Sequence, residues 1–223
     1  MRLVLYSGGQ RPENRLLHKT LFDLCEQKKH AKFTYIPFCS DNSKTYFSRI
    51  TRRYRSFGFN QFHCLPVDRV VEKADLVRAL KSDVIYLAGG NTFYFLFHLK
   101  RSGLMPHLKK FALRGGVLAG LSAGALILTP NIGLASVPRF DADEYDVGLK
   151  DLEGLDLTSF EFSPHYSDNR GRNTSLLNYS KKTKLPVYAS VDGGGIVVEG
   201  DRFTVHGKAA VFYRGHRVLL QNV

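Results

Sequence analysis

No apolar run in this chain of 223 residues approaches the ~20 needed to cross a bilayer, so a helical membrane protein is excluded and no membrane partner is expected. Cysteine is scarce. Cys25, Cys39 and Cys64 are odd in number and widely spaced, which fits neither a disulfide framework nor a zinc site and points to a reducing cytoplasm. Cys39 stands near the end of the apolar segment Phe33 to Phe38, where a small half-buried residue is the simpler reading than a nucleophile. The opening Met-Arg-Leu-Val-Leu-Tyr-Ser-Gly-Gly is too short an apolar stretch for a signal peptide and reads as a first strand. Low-complexity linkers and internal repeats are missing as well, so one domain over residues 1–223, 43% hydrophobic, is expected.

Acidic residues are also in deficit. Against 32 lysines and arginines stand 20 aspartates and glutamates, a formal net charge of +12. Such a balance suits nucleic acid or acidic substrates. The densest basic stretch holds Lys44, Arg49, Arg52, Arg53 and Arg55, interleaved with Phe47, Ile50, Tyr54 and Phe57 at helical spacing. That pattern describes an amphipathic helix with a solvated arginine face. Neither zinc-finger spacing nor an RNA-recognition aromatic motif accompanies it, so no nucleic-acid partner is expected.

What is present is alternation. Leu3–Tyr6, Phe33–Phe38, Phe62–Leu65, Val84–Ala88 and Val117–Leu121 read as strands. Between them, Arg15–Lys28, the basic segment, Lys73–Leu80, Phe93–Arg101 and Met105–Arg114 read as helices. The order predicts an α/β fold with a mainly parallel sheet flanked by helices. Residues 131–160 are loop-rich and acidic, and Ile196–Val198, Phe203–Val205, Ala209–Tyr213 and Val218–Leu220 suggest C-terminal antiparallel hairpins. In parallel sheets the ligand crevice forms at the carboxyl ends of the strands.

One strand feeds a distinctive turn. Gly120-Leu121-Ser122-Ala123-Gly124 follows the run Val117 to Leu121 and has the spacing of a nucleophile elbow. Small neighbours let the backbone turn tightly, and the Ala123 N–H faces the same space as the hydroxyl, as an oxyanion site requires. A serine hydroxyl needs a base. Of eight histidines, His18, His98 and His107 fall in helices, His30 in a polar turn and His63 in a strand far upstream. His165 ends the run Phe160-Glu-Phe-Ser-Pro-His and so sits at a strand end. For the orienting carboxylate, Asp192 closes Val187-Tyr-Ala-Ser-Val and is preferred to Asp143, which lies in an acidic stretch. Gly89-Gly90, at another strand end, can offer a free N–H, or simply turn the chain into a helix capped by Asn91 or Thr92.

Taken together, Gly89-Gly90-Asn91-Thr92-Phe93, Gly120-Leu121-Ser122-Ala123-Gly124-Ala125 and Pro164-His165-Tyr166 resemble peptidase E, the α-aspartyl dipeptidase family that includes cyanophycinases. The resemblance covers roughly residues 80–195. It implies a fold like class I glutamine amidotransferases (flavodoxin-like), no cofactor, and a serine exopeptidase acting on short peptides, above all Asp-X dipeptides. Ser122 is then the nucleophile, His165 the base, Asp192 the acid, and Gly90 and Ala123 the oxyanion donors. Asn91, Arg170 and Arg172 become substrate-binding candidates, because a guanidinium suits the carboxylate of an N-terminal aspartate. Three departures are visible. Asp192 stands where the family has glutamate, and Asp143-Glu-Tyr replaces its Asp-Met-Pro block. The loop after His165 is also short.

Two rival readings follow from the same residues. An α/β-hydrolase esterase would pair Ser122 and Asp192 with His206 or His216, but no His-Gly-Gly-Gly segment is present. A non-catalytic protein on the same fold would instead dock RNA through its basic helix. The expected protein is a monomer or homodimer, with exposed C-terminal strands available for pairing.

Overall fold

The computed structural model describes residues 1–8, 12–26 and 30–220. Five short strands, β1 (Arg2–Tyr6), β2 (Lys32–Ile36), β3 (Gln61–Cys64), β4 (Val84–Leu87) and β5 (Val117–Leu121), run parallel in the order β3-β2-β4-β5-β1. Helices α1 (Arg15–Asp23), α2 (Ser43–Arg55), α3 (Lys73–Leu80), α4 (Thr92–Arg101) and α5 (Met105–Leu113) alternate with them. The central strands are covered on both faces. Val4, Leu5 and Tyr6 of β1 and all four residues of β4 are fully buried, which is why they read as unbroken apolar runs.

The C-terminal hairpins divide between two sheets. Strand β8 (Gly195–Glu199) joins the main sheet antiparallel to β1, and β9 (Arg202–His206) completes its seven strands. Strands β6 (Glu161–Ser163) and β7 (Val187–Ser190) pair in parallel. The hairpin β10 (Ala209–Tyr213) and β11 (His216–Leu220) extends them into a second sheet ordered β11-β10-β7-β6. This division places the loops after β6 and β7, and the turn into β8, beside the carboxyl ends of the parallel strands.

Most elements fall where their patterns put them, and two differ. Helix α1 ends at Asp23 with Leu24 as its cap; of the rest of the expected span to Lys28, residues 27 and 28 lie outside the described ones. Helix α7 (Arg170–Ser180) was not legible, because residues 170–180 carry no apolar stripe of helical period. Its start is instead fixed by Asn169, whose Oδ1 accepts the Arg172 N–H at 2.9 Å.

Helix α2 packs as an amphipathic element. Ile50 and Tyr54 are buried while Arg49, Arg52 and Arg55 face solvent. Beneath it lies His18, a packing residue of the interior. Its Nδ1 stands 2.9 Å from the Tyr54 hydroxyl and 3.3 Å from that of Tyr6. No helix among the described residues is long and apolar enough to cross a membrane.

Candidate active site

Strand β5 delivers Ser122 into a strained turn, and α6 (Ala123–Leu128) begins directly after it. Ser122 adopts φ +50° and ψ −108°, a conformation that costs a non-glycine residue about 1–3 kcal/mol. Three backbone bonds hold it there. The Ser122 N–H donates to the Tyr6 carbonyl at 2.9 Å, Gly124 N–H to Ala88 at 3.0 Å, and Leu126 N–H to Ser122 itself at 3.0 Å. Both flanking glycines are required by close approach. A Cβ on Gly120 would lie 2.3 Å from the Gly124 carbonyl, and one on Gly124 would lie 2.4 Å from the Leu87 oxygen. The Ala123 N–H opens α6, where helical geometry leaves it without an intrahelical acceptor.

His165 reaches this turn from the loop after β6. Its Nε2 lies 2.7 Å from Ser122 Oγ, and its Nδ1 lies 2.7 Å from Asp192 Oδ1. A carboxylate accepts, so Nδ1 carries the proton and Nε2 is left bare to accept from the serine hydroxyl. The imidazole and carboxylate remain partly open, at 45% and 29% side-chain exposure, which leaves room for a reacting group. His165 is held by its backbone, at φ +54°, with its N–H donating to Ser7 Oγ at 2.8 Å. The fully buried Ser7 hydroxyl in turn donates to the Ser190 carbonyl at 2.7 Å, joining β1 to β7.

Ser7 and its neighbour Gly8 escaped sequence reasoning. A Cβ on Gly8 would lie 2.2 Å from His165 Cε1 and 2.7 Å from Asp192 Oδ1, so the imidazole and carboxylate meet only because position 8 has no side chain. The available signal was the small-residue pair Ser7-Gly8 directly after the first strand. That is the crevice edge where Ser122 also lies.

The remaining candidates separate clearly. Asp143 Oδ2 accepts the Thr92 N–H at 2.8 Å, at the start of α4, while Asp192 occupies the place beside His165. Asn91 is engaged at both ends of its amide. Its Oδ1 accepts Tyr94 N–H at 2.9 Å and its Nδ2 donates to the Glu144 carbonyl at 2.8 Å, so it caps α4. Gly90, at φ +148°, packs against Phe38, whose ring a Cβ would meet at 2.3 Å. Arg172 is buried and lines a small cleft of about 60 Å³ with Ser122, His165, Thr92, Asp141 and Asp143. Arg170 is exposed and is not among the residues lining that cleft.

His206 lies on β9 opposite Gly195, and among the described residues it makes no hydrogen bond to Ser122 or Asp192. Burial pushes its pKa down. The Cys39 thiol contacts the Asp41 carbonyl at 3.6 Å, and burial pushes its pKa up, which disfavours the thiolate a nucleophile needs. A larger recess of about 400 Å³ lies at the opposite strand ends, around Arg2, Lys110 and Arg114. Among the described residues no hydrogen bond there joins a nucleophile to a base, as one does at Ser122, so chemistry rather than size picks out the smaller cleft.

The sequence profile of peptidase family S51 matches residues 3–206. The chain belongs to peptidase family S51. Relatives within the family agree. Peptidase E of Streptomyces coelicolor is 30% identical over 83% of this chain and 76% of its own length. Peptidase E of Shewanella amazonensis is 27% identical over 96% of this chain and 92% of its own. The solved structure of a peptidase from an acI-B1 Actinobacterium superposes with a TM-score of 0.71 at 20% identity, covering 99% of this chain and 94% of that one. At that identity the likeness establishes the fold, a flavodoxin-like sheet, mostly parallel, flanked by helices and followed by antiparallel strands. Family S51 membership makes the chain a peptidase of the peptidase E type.

Proposed function

We propose that this S51 peptidase is a serine dipeptidase that cleaves Asp-X dipeptides through an acyl-enzyme. The observation that carries the reading is the continuous chain from Ser122 Oγ through His165 to Asp192, two contacts of 2.7 Å each, at the mouth of a crevice. Ser122 Oγ attacks the peptide carbonyl as its proton passes to His165 Nε2. Asp192 keeps the Nδ1–H tautomer and stabilises the imidazolium that forms. The oxyanion is received by the N–H groups of Ala123 and Gly90, each worth about 2.7–4 kcal/mol of barrier. His165 then gives its proton to the leaving amine, and water, activated by the same imidazole, releases the acyl group. Arg172 reads the aspartate carboxylate of the substrate, supported by its burial in the cleft beside Ser122. The protein acts in the cytoplasm, as monomer or homodimer, on small peptides and without nucleic acid or cofactor.

Turnover of Asp-Leu against Leu-Leu, Glu-Leu and β-Asp-Leu tests the reading, with the Ser122→Ala protein as blank. Asp-Leu is expected to be cleaved fastest, and Ser122→Ala to lose at least 10⁴-fold in kcat. Equal rates on Asp-Leu, Leu-Leu and Glu-Leu would remove the aspartate preference and leave the mechanism. No turnover of any of them, together with salt-sensitive RNA binding, would favour a non-catalytic role for the basic helix.

A further inference from the structure

Arg172 and Asp141 form an ion pair of very unequal partners. The arginine side chain is 7% exposed and that of the aspartate 54%. Arg172 sits in the first turn of α7, packed into the cleft wall. Asp141 ends a single 3-10 turn, Arg139–Asp141, in which no residue is buried. When the pair opens, Asp141 is the partner that can move into water.

The pairing is also incomplete. Asp141 Oδ2 takes Nη2 of the guanidinium, while Nε is buried with no partner among the described residues. Nε and Nη2 form the side-on edge that a carboxylate engages with two parallel hydrogen bonds. Asp141 therefore blocks half of this edge and leaves the other half unsatisfied. A buried donor without an acceptor is costly, and a second carboxylate taking both atoms removes that cost.

We propose that Asp141 is a specificity-determining residue that competes with the substrate's side-chain carboxylate for Arg172. The inference rests on the Asp-X reading above. With the cleft empty, Asp141 neutralises Arg172. An N-terminal aspartate displaces it by offering a side-on, two-point contact, and Asp141 swings to solvent. A neutral side chain offers nothing in exchange, so opening the pair is uncompensated for it. Asp141 thereby lowers affinity for all ligands and least for a well-placed carboxylate.

Succinate, a dicarboxylate probe, separates the possibilities by calorimetric titration of Ser122→Ala protein with and without Asp141→Asn. The charge-removing change is expected to tighten succinate about fivefold, the effect of deleting a half-exposed competing charge. Asp141→Glu, which keeps the competitor, should bind as the parent does, and Arg172→Ala should abolish binding. In protein with Ser122 intact, Asp141→Asn should lower KM for Asp-Leu. Weaker or unchanged succinate binding in Asp141→Asn, with Asp-Leu still hydrolysed, overturns the proposal and makes Asp141 a positioning partner of Arg172. Silence of succinate in every variant, with no turnover of Asp-Leu, brings down the Asp-X reading and this proposal together.

Discussion

Replacing Gly8 by alanine should disable the site while leaving the fold standing. The glycine is not in the left-handed region, so the backbone accepts alanine, and the whole effect is steric. The new Cβ would lie 2.2 Å from His165 Cε1 and 2.7 Å from Asp192 Oδ1, against an ordinary contact of 3.4 Å or more. Relief requires the imidazole to retreat by over 1 Å. Its two contacts, each 2.7 Å to Ser122 and Asp192, cannot both survive such a move. A misplacement of about 1 Å in a catalytic group costs about 10²-fold in rate, equivalent to roughly 2.7 kcal/mol of barrier. Two assays read this. Hydrolysis of Asp-Leu gives kcat, and the rate of labelling by a fluorophosphonate reports the nucleophilicity of Ser122 whatever the substrate. Both should fall about a hundredfold, with a melting temperature close to that of the parent. Labelling within about threefold of the parent would refute the claim that the absent side chain at position 8 is what lets His165 and Asp192 meet.

Two predictions concern stability. Burial, with a smaller contribution from the charge of Arg53, holds the His18 imidazole down from 6.5 to about 3. The unfolded chain binds this proton more readily, so the stabilisation is complete above about pH 6.5 and is lost as pH falls toward 3. Urea denaturation should show a loss of about 2 kcal/mol between pH 7 and pH 5, mostly removed by His18→Gln; an undiminished loss in that variant would assign the effect to other groups. Gly124→Ala pushes a methyl group against the Leu87 and Ala88 carbonyls at 2.4 and 2.8 Å, both fixed backbone of the central sheet. A destabilisation of about 1–3 kcal/mol is expected, and a value under about 0.5 kcal/mol would mean the elbow relaxes freely.

The sequence by itself determined what short-range pattern encodes. Buried strands announce themselves as apolar runs, so β1, β2, β4 and β5 were legible, and so was α3, whose bounds the pattern matched. The elbow was legible for the same reason, since the tight turn at Ser122 demands small residues within two positions on either side. Strand-end position also singled out His165 and Asp192. Helix α7 was hidden because its start depends on a cap at Asn169 rather than on an apolar stripe.

Tertiary structure alone decided which distant groups meet. The Ser122–His165 contact spans 43 residues, His165–Asp192 spans 27 and Arg172–Asp141 spans 31. Such contacts follow from strand order and register, which the whole core fixes collectively and no local window records. Strand β8 pairs with β1, so Ser7, Gly8 and the turn at Asp192 arrive at one edge, and Asp192 rather than Asp143 faces the imidazole. The same folding buries Arg172 beside Ser122 and leaves Asp141 in water. Two charged residues of equal weight in the sequence thereby end in different surroundings, one buried in the cleft wall and the other half exposed.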